Sequence, residues 1–157
     1  GSIDLRIINR PKMKTTVNYK YIEWRDTEGL HEDVLQSLSD LTFLKDELQF
    51  LKDLVAEHTL ELIYEKSSEQ SKLLFSQLQE YTRWLEKLIK ELQAHKNNLQ
   101  ILTDTIDIPG ELQEYKEEHY RLILEESNFH ADLKKIKQNI FDVLTGIMKK
   151  NRQKRLM

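Results

Sequence analysis

The sequence of 157 residues contains no cysteine, only two prolines and four glycines, and no long run of apolar residues. The lack of cysteine excludes disulfide bonds, thiolate zinc sites and cysteine nucleophiles, so a bound metal would need histidine and carboxylate ligands. No window reaches the roughly 18 consecutive apolar residues of a membrane-spanning helix, and no secretory signal pattern opens the chain. We therefore expect a cytoplasmic protein that does not bind a membrane.

Because glycine and proline are scarce, the breaks between helices are easy to locate. Pro109-Gly110 marks one break, and Ser67 followed by Gln70 marks another, since this spacing is typical of a capping box at a helix start. A further helix start is expected near Asp26 or Thr27. These signals predict three long helices, at about residues 28–66, 68–105 and 109–151.

Each predicted helix carries apolar residues spaced alternately by four and three positions, the pattern of a helix that packs along one stripe. The stripes run from Leu30 to Leu62, from Leu74 to Ile106 and from Leu112 to Ile147. Polar residues interrupt them at Ser37, His58, His95, His119 and Glu126. These interruptions are the most chemically specific feature of the sequence.

The predicted fold is all-α. Short connections between long helices favour antiparallel neighbours, so we expect an antiparallel up-down-up bundle of three coiled-coil-like helices. The predicted division of the chain is an N-terminal extension (1–26), the bundle (27–151) and a basic C-terminal tail (152–157). Extra apolar positions such as Phe43 and Phe50 exceed what one stripe can bury and favour a homodimer.

The N-terminal extension has a different pattern from the bundle. Gly1-Ser2 resembles the remnant of a protease cleavage site and is left out of the fold. The next residues alternate apolar and polar, and Thr15–Trp24 is β-branched and aromatic, which predicts an extended segment or a hairpin turning near Arg10-Pro11. Alternatives are that the aromatic residues pack along the end of the bundle or that the segment adds to the sheet edge of a partner. The aromatic residues are Tyr19, Tyr21 and Trp24.

His95, His119 and Ser37 are predicted to lie at a similar height in the bundle, given a rise of about 1.5 Å per residue. One interpretation is a polar layer in which the two imidazoles bond to each other or to water and fix the register of the helices. The other is a metal site with His95 and His119 as ligands. Oxygen ligands would come from Glu91, Asp40 or Glu126.

Two further polar positions have simpler interpretations. A carboxylate at Glu126 needs a partner in the core, and Lys45 of the first helix is predicted to supply it. His58 is expected to be a hydrogen-bonded core histidine near Tyr81. Neither residue therefore requires a catalytic explanation.

The charge pattern and the missing motifs limit the function. The net charge of -3 combines an acidic body with a basic end, where five lysines and arginines follow residue 148 with no acid. Residues 149–157 are the only candidate for contact with nucleic acid. No phosphate-binding glycine loop or nucleophile elbow is present, so we predict no catalytic residue, no enzymatic activity and no cofactor. The expected function is an interaction or scaffold module that binds another protein, itself or both, with a metal-binding bundle as the alternative.

Overall fold

The computed structural model describes residues 19–58, 68–104 and 110–156. Within these ranges all regular structure is helical, which confirms the predicted all-α class. The helices are α1 (Tyr19–Glu23), α2 (Thr27–Glu57), α3 (Ser68–Asp104) and α4 (Glu111–Leu156). The three long helices pack on one another and α1 packs on α4. None of the described helices has a sufficiently long apolar stretch to span a lipid bilayer.

Local signals account for the helix starts. Asp26 is the N-cap of α2, where its Oδ1 accepts a hydrogen bond of 2.8 Å from the backbone N–H of Gly29. Gly110 precedes α4 with a φ of 98°, a left-handed conformation that glycine adopts without a Cβ clash. The predicted start of α3 at residue 68 also agrees with the structure.

The helix ends differ more from the prediction. α2 ends at Glu57, well before residue 66, and His58 is its C-cap, with the backbone N–H directed to the carbonyls of Ala56 and Leu54. Residues 59–67, including the capping serine Ser67 and the end of the first stripe, lie outside the described residues. α4 continues to Leu156, so the predicted basic tail begins within the last turns of this helix.

The stripes form the core. From Leu30 to Val55 on α2, every stripe position is buried, and most stripe positions of α3 and α4 are buried as well. Burial of this leucine-rich surface is the main favourable contribution to folding. The core also includes four polar residues, all of them predicted stripe interruptions. They are Ser37, His95, His119 and Glu126.

The predicted extended segment is wrong for Tyr19–Glu23, which forms α1. A helix places residues three apart on one side, so Tyr19 and Ile22 can contact the bundle together. Ile22 is buried in the core, and the Tyr19 ring meets Tyr120 edge to face with 5.2 Å between the centroids. This burial favours the helix over a strand, while Tyr21 and Trp24 remain exposed. Residues 1–18, with the predicted hairpin turn, lie outside the described residues.

Side-chain contacts fix how the long helices meet. On α3, Trp84 packs edge to face on Phe129 of α4, with 5.0 Å between ring centroids, and its Nε1–H donates to Glu125 at 3.0 Å. Glu47 of α2 accepts a hydrogen bond of 2.7 Å from Lys137 of α4. These contacts leave the buried polar residues between α2, α3 and α4.

Candidate functional site

His95 and His119 are in direct contact in the core. His95 Nε2 lies 3.1 Å from His119 Nδ1, and the two rings are tilted by 43° with centroids 5.2 Å apart. The two residues are only 2% and 1% exposed. Each takes the place of a leucine in its stripe, so the pair links α3 to α4 inside an apolar surrounding. The structure therefore shows the direct bond that one interpretation of the sequence predicted.

The chain of hydrogen bonds continues from His119 to Asp33, which sequence reasoning missed. His119 Nε2 lies 3.3 Å from Asp33 Oδ2 on α2, and Asp33 Oδ1 accepts a bond of 2.6 Å from Arg25 Nη2. Arg25 also donates to the carbonyl of Gly29 at 3.1 Å. The only sequence signal was that Asp33 lies four positions before Ser37, beside the buried Val34. Arg25 could not be placed without knowing how α1 joins α2.

The hydrogen-bond partners assign the ring protons. An ionised Asp33 can only accept, so His119 carries its proton on Nε2 and presents a lone pair at Nδ1. His95 must then donate from Nε2, which leaves its Nδ1 as an acceptor. That Nδ1 atom is buried and has no hydrogen-bond partner within the part of the chain described. The series of hydrogen bonds thus runs from the unused acceptor Nδ1 of His95 in the core to the ion pair of Asp33 and Arg25 at the surface of α2.

Burial keeps both imidazoles neutral. The pKa of His95 is lowered to about 4, first by desolvation and then by repulsion from a charge on His119. Desolvation also lowers the pKa of His119, although the carboxylate of Asp33 opposes this change. Beside Asp33, the pKa of Arg25 is raised, mainly by their hydrogen bond. The series of hydrogen-bonded side chains therefore has one full ion pair, Arg25 with Asp33, at its outer end and two neutral rings at its inner end.

An open surface pocket of about 320 Å³, called the cavity below, lies beside these hydrogen-bonded residues, between α1, α2 and α4. His119 and Asp33 form part of its wall, together with Ser37 and Glu126. Ser37 was predicted to share the polar layer, and it does lie at the same cavity as His119. Its side chain is not the partner of either histidine, because Asp33, one turn earlier, occupies that position.

The predicted ion pair between Lys45 and Glu126 is wrong. Glu126 Oε1 instead lies 3.7 Å from Nε2 of His130, one turn further along α4. Its interaction with Glu126 raises the pKa of His130. Lys45 lines a groove with Thr82 and Glu86 of α3, on the other side of α2. The arithmetic of helix heights cannot distinguish the two sides of a helix.

The carboxylates considered as metal ligands are used elsewhere. Glu91 accepts a hydrogen bond of 2.5 Å from Arg121, which also bonds to Glu118 and Glu125. Asp40 accepts from Gln36 on the exposed side of α2. Within residues 19–58, 68–104 and 110–156, no group of three or more histidines and carboxylates has the geometry of a metal site. Metal binding by His95 and His119 stays a prediction from the sequence.

The remaining candidates lie away from this site. His58 is half-buried rather than in the core, because α2 ends at Glu57. Lys149, Lys150 and Arg152, described at the end of α4, are exposed. Neither region contributes to the histidine chain.

Comparison with known proteins adds no family. No protein-family model matches the chain, and no solved structure is significantly similar to it.

Proposed function

We propose that this protein is a non-enzymatic helical-bundle module that binds other protein surfaces, with a second copy of itself as the first partner. The observation that carries the proposal is an exposed apolar surface on α2. Phe43 and Phe50 are 70% and 60% exposed, although both are large aromatic residues. They lie seven positions apart and thus on one side of the helix, two turns from each other. Exposed apolar residues that cluster in this way are typical of interaction surfaces.

The same surface extends towards α4. The bond between Glu47 and Lys137 joins the two helices. Phe50 lies three positions after Glu47, and Phe141 lies four positions after Lys137 and is also exposed. We call Phe43, Phe50 and Phe141 the phenylalanine surface. Aromatic residues of this kind are enriched at protein interfaces, because they bury a large area at a low cost in side-chain entropy.

The proposal includes an antiparallel up-down-up order of the long helices with coiled-coil-like packing. Its support is the order of the contacts: on α3, Trp84 meets Phe129, and His95, further along, meets the earlier residue His119. Between α2 and α4 the numbers rise together, from Asp33 with His119 to Glu47 with Lys137. A cytoplasmic location is also part of the proposal, and it rests on the sequence alone.

Light scattering coupled to size exclusion tests self-association. We expect the wild type to change from monomer to dimer as its concentration rises, and we expect Phe43→Ser/Phe50→Ser to remain monomeric. Ile101→Ser on α3 is the matched control, because Ile101 is an equally exposed apolar residue outside the surface. It should dimerise as the wild type does.

Two results would contradict the proposal. A wild type that stays monomeric at all concentrations removes the second copy as a partner. If the proteins captured from a lysate are then the same for the wild type and for Phe43→Ser/Phe50→Ser, the phenylalanine surface is not an interaction surface at all.

A further inference from the structure

The cavity between α1, α2 and α4 combines an apolar wall with polar groups. Ile22 of α1 and Ile123 of α4 contribute apolar surface, while Ser37 of α2 and Glu126 of α4 contribute a hydroxyl and a carboxylate. A volume of about 320 Å³ is at the lower end of the range of small-molecule sites, which begins at roughly 300 Å³. The space therefore suits a small molecule or a single side chain.

Ser37 and Glu126 line the cavity with little of their surface exposed. Ser37 is 6% exposed and Glu126 is 8% exposed. Among the described residues, the Ser37 hydroxyl has no hydrogen-bond partner. Glu126 forms an ion pair with His130, whose Nε2 lies 3.7 Å from Glu126 Oε1 and whose pKa this contact raises. Neither residue has a fully buried polar atom without a partner, since His95 Nδ1 is the only such side-chain atom among the described residues. A ligand in the cavity that donates N–H groups can bond to both residues.

The charges around the cavity favour a cationic donor. Asp33 is already matched by Arg25 and His119. His119 is neutral, since burial lowers its pKa, and so it adds no positive charge to the wall. Among the described residues, neither lysine nor arginine lines this cavity. Among the described residues, Glu126 thus has His130 as its ion-pair partner and has no lysine or arginine beside it.

We propose that this cavity binds a protonated alkylamine, the chemistry shared by a lysine side chain of another protein and a free aliphatic diamine. The ammonium group bonds to the Glu126 carboxylate and the Ser37 hydroxyl, and the alkyl chain lies against Ile22 and Ile123. Three N–H donors on an ammonium suit this arrangement, because the carboxylate can accept more than one of them. The site is separate from the phenylalanine surface, whose residues do not line the cavity.

Titration of the ¹⁵N-labelled protein with n-butylammonium chloride at constant ionic strength tests the proposal. At about pH 8.5 the amine is still protonated, since such groups have a pKa of about 10.4, whereas a free imidazole is neutral. We expect saturable shifts at the amides of Ile22, Ser37 and Glu126. n-Butanol has the same chain without the charge and should not shift them. Equal shifts with n-butanol would overturn the proposal.

Substitutions locate the binding site. Glu126→Gln keeps the size of the side chain and should weaken n-butylammonium binding by at least about tenfold, the loss expected when an ammonium group no longer bonds to a carboxylate. Glu117→Gln, on an exposed part of α4, is the matched control and should bind as the wild type does. Ser37→Ala should weaken binding by a few fold, which keeps the test valid if Glu126→Gln does not fold. Equal binding by the wild type, Glu126→Gln and Ser37→Ala would overturn the proposal.

Two further probes distinguish the source of the amine. Blocked lysine, with an acetylated α-amine and an amidated carboxyl group, represents a partner side chain, and 1,4-diaminobutane represents a free amine. Tighter binding of blocked lysine supports a protein partner, and tighter binding of the diamine supports a small molecule. The absence of saturable binding for both overturns the proposal. Self-association of the wild type would be unaffected, so this failure is distinct from failure of the phenylalanine surface.

Discussion

At the residue scale, the buried pair of His95 and His119 makes the stability of the fold depend on pH. A neutral imidazole can be buried when its nitrogens are bonded, and His119 is bonded at Nδ1 by His95 and at Nε2 by Asp33. A charged imidazole would be costly there, because the surrounding stripes are apolar and the rings repel each other once charged. Folding therefore opposes protonation of this pair.

The first prediction is that acid destabilises the fold through these histidines. Unfolding returns each imidazole to a pKa of about 6.5, whereas the folded pKa is about 4 for His95 and is also lowered for His119. The unfolded chain thus binds more protons between about pH 6.5 and pH 4, and stability falls as the pH decreases through this window. For His95 alone, the free energy of unfolding should decrease by about 2 kcal/mol between pH 7.5 and pH 5. Urea denaturation at the two pH values measures it.

His95→Leu/His119→Leu isolates this effect. Leucine continues the stripe, and Asp33 keeps its ion pair with Arg25, so the double variant should fold and lose less stability on acidification than the wild type. Protonation of His130, whose pKa is raised, changes the stability in the opposite direction. Because His130 is present in both proteins, its effect cancels in the comparison. His31→Gln, outside the buried pair, should keep the full loss. An equal loss in the double variant and the wild type would show that other groups cause it.

The sequence predicted His95 and His119 as a buried pair because each interrupts a regular leucine stripe. It did not predict Asp33, since this residue lies beside the stripe of α2 and looks like an ordinary surface acid. Its role depends on which side of α2 faces α4, and a single stripe cannot give that rotation. The wrong pairing of Glu126 with Lys45 has the same origin, since the stripe did not show that Lys45 lies on the other side of α2. The partner that Glu126 has in the structure, His130, is on the same helix.

At the element scale, the start of α2 joins helix capping to the histidine chain. Asp26 caps the helix through Gly29, and Arg25 bonds to the carbonyl of Gly29 and to Asp33. A Cβ atom at Gly29 would lie 2.9 Å from Asp26 Oδ1 and 3.1 Å from Arg25 Cζ. The start of this helix near Asp26 or Thr27 was predicted from the sequence, whereas α1 before it was not. The helix α1 depends on contacts of Tyr19 and Ile22 with residues that are distant in the sequence.

The second prediction compares two glycines that occupy helices. Glycine to alanine within a helix usually stabilises a protein by about 0.5–1 kcal/mol, because alanine loses less backbone entropy on folding. Gly146→Ala should show this gain, since no atom lies within 4 Å of the added Cβ. Gly29→Ala should instead lower the free energy of unfolding by about 1 kcal/mol, because it displaces the cap and the Arg25 side chain. Urea denaturation of both variants measures the difference, and a Gly29→Ala protein more stable than the wild type would contradict it.

At the scale of the whole molecule, the number and the buried sides of the helices followed from the sequence, but their register did not. The stripes gave the core because apolar spacing reports directly which side of a helix is buried. Register depends on where each helix stops, and α2 ends at Glu57 instead of continuing to about residue 66. Heights counted from an assumed turn near residue 68 therefore placed Ser37 closest to the histidines, where the structure has Asp33.

The third prediction tests the proposed antiparallel order of α2 and α3 with pairs of spin labels. The sequence has no cysteine, so two introduced cysteines are the only labelling sites. Asp46 and Glu86 line one groove, and Asp46→Cys/Glu86→Cys should give a short distance, about 10–25 Å, since packed helices lie 8–10 Å apart. Glu32→Cys/Lys72→Cys joins exposed residues near the starts of the two helices and should give about 40 Å at 1.5 Å per residue. Parallel helices would make the second distance short. Dilution with unlabelled protein separates a closed bundle, which keeps the short distance, from helices exchanged between two copies, which lose it.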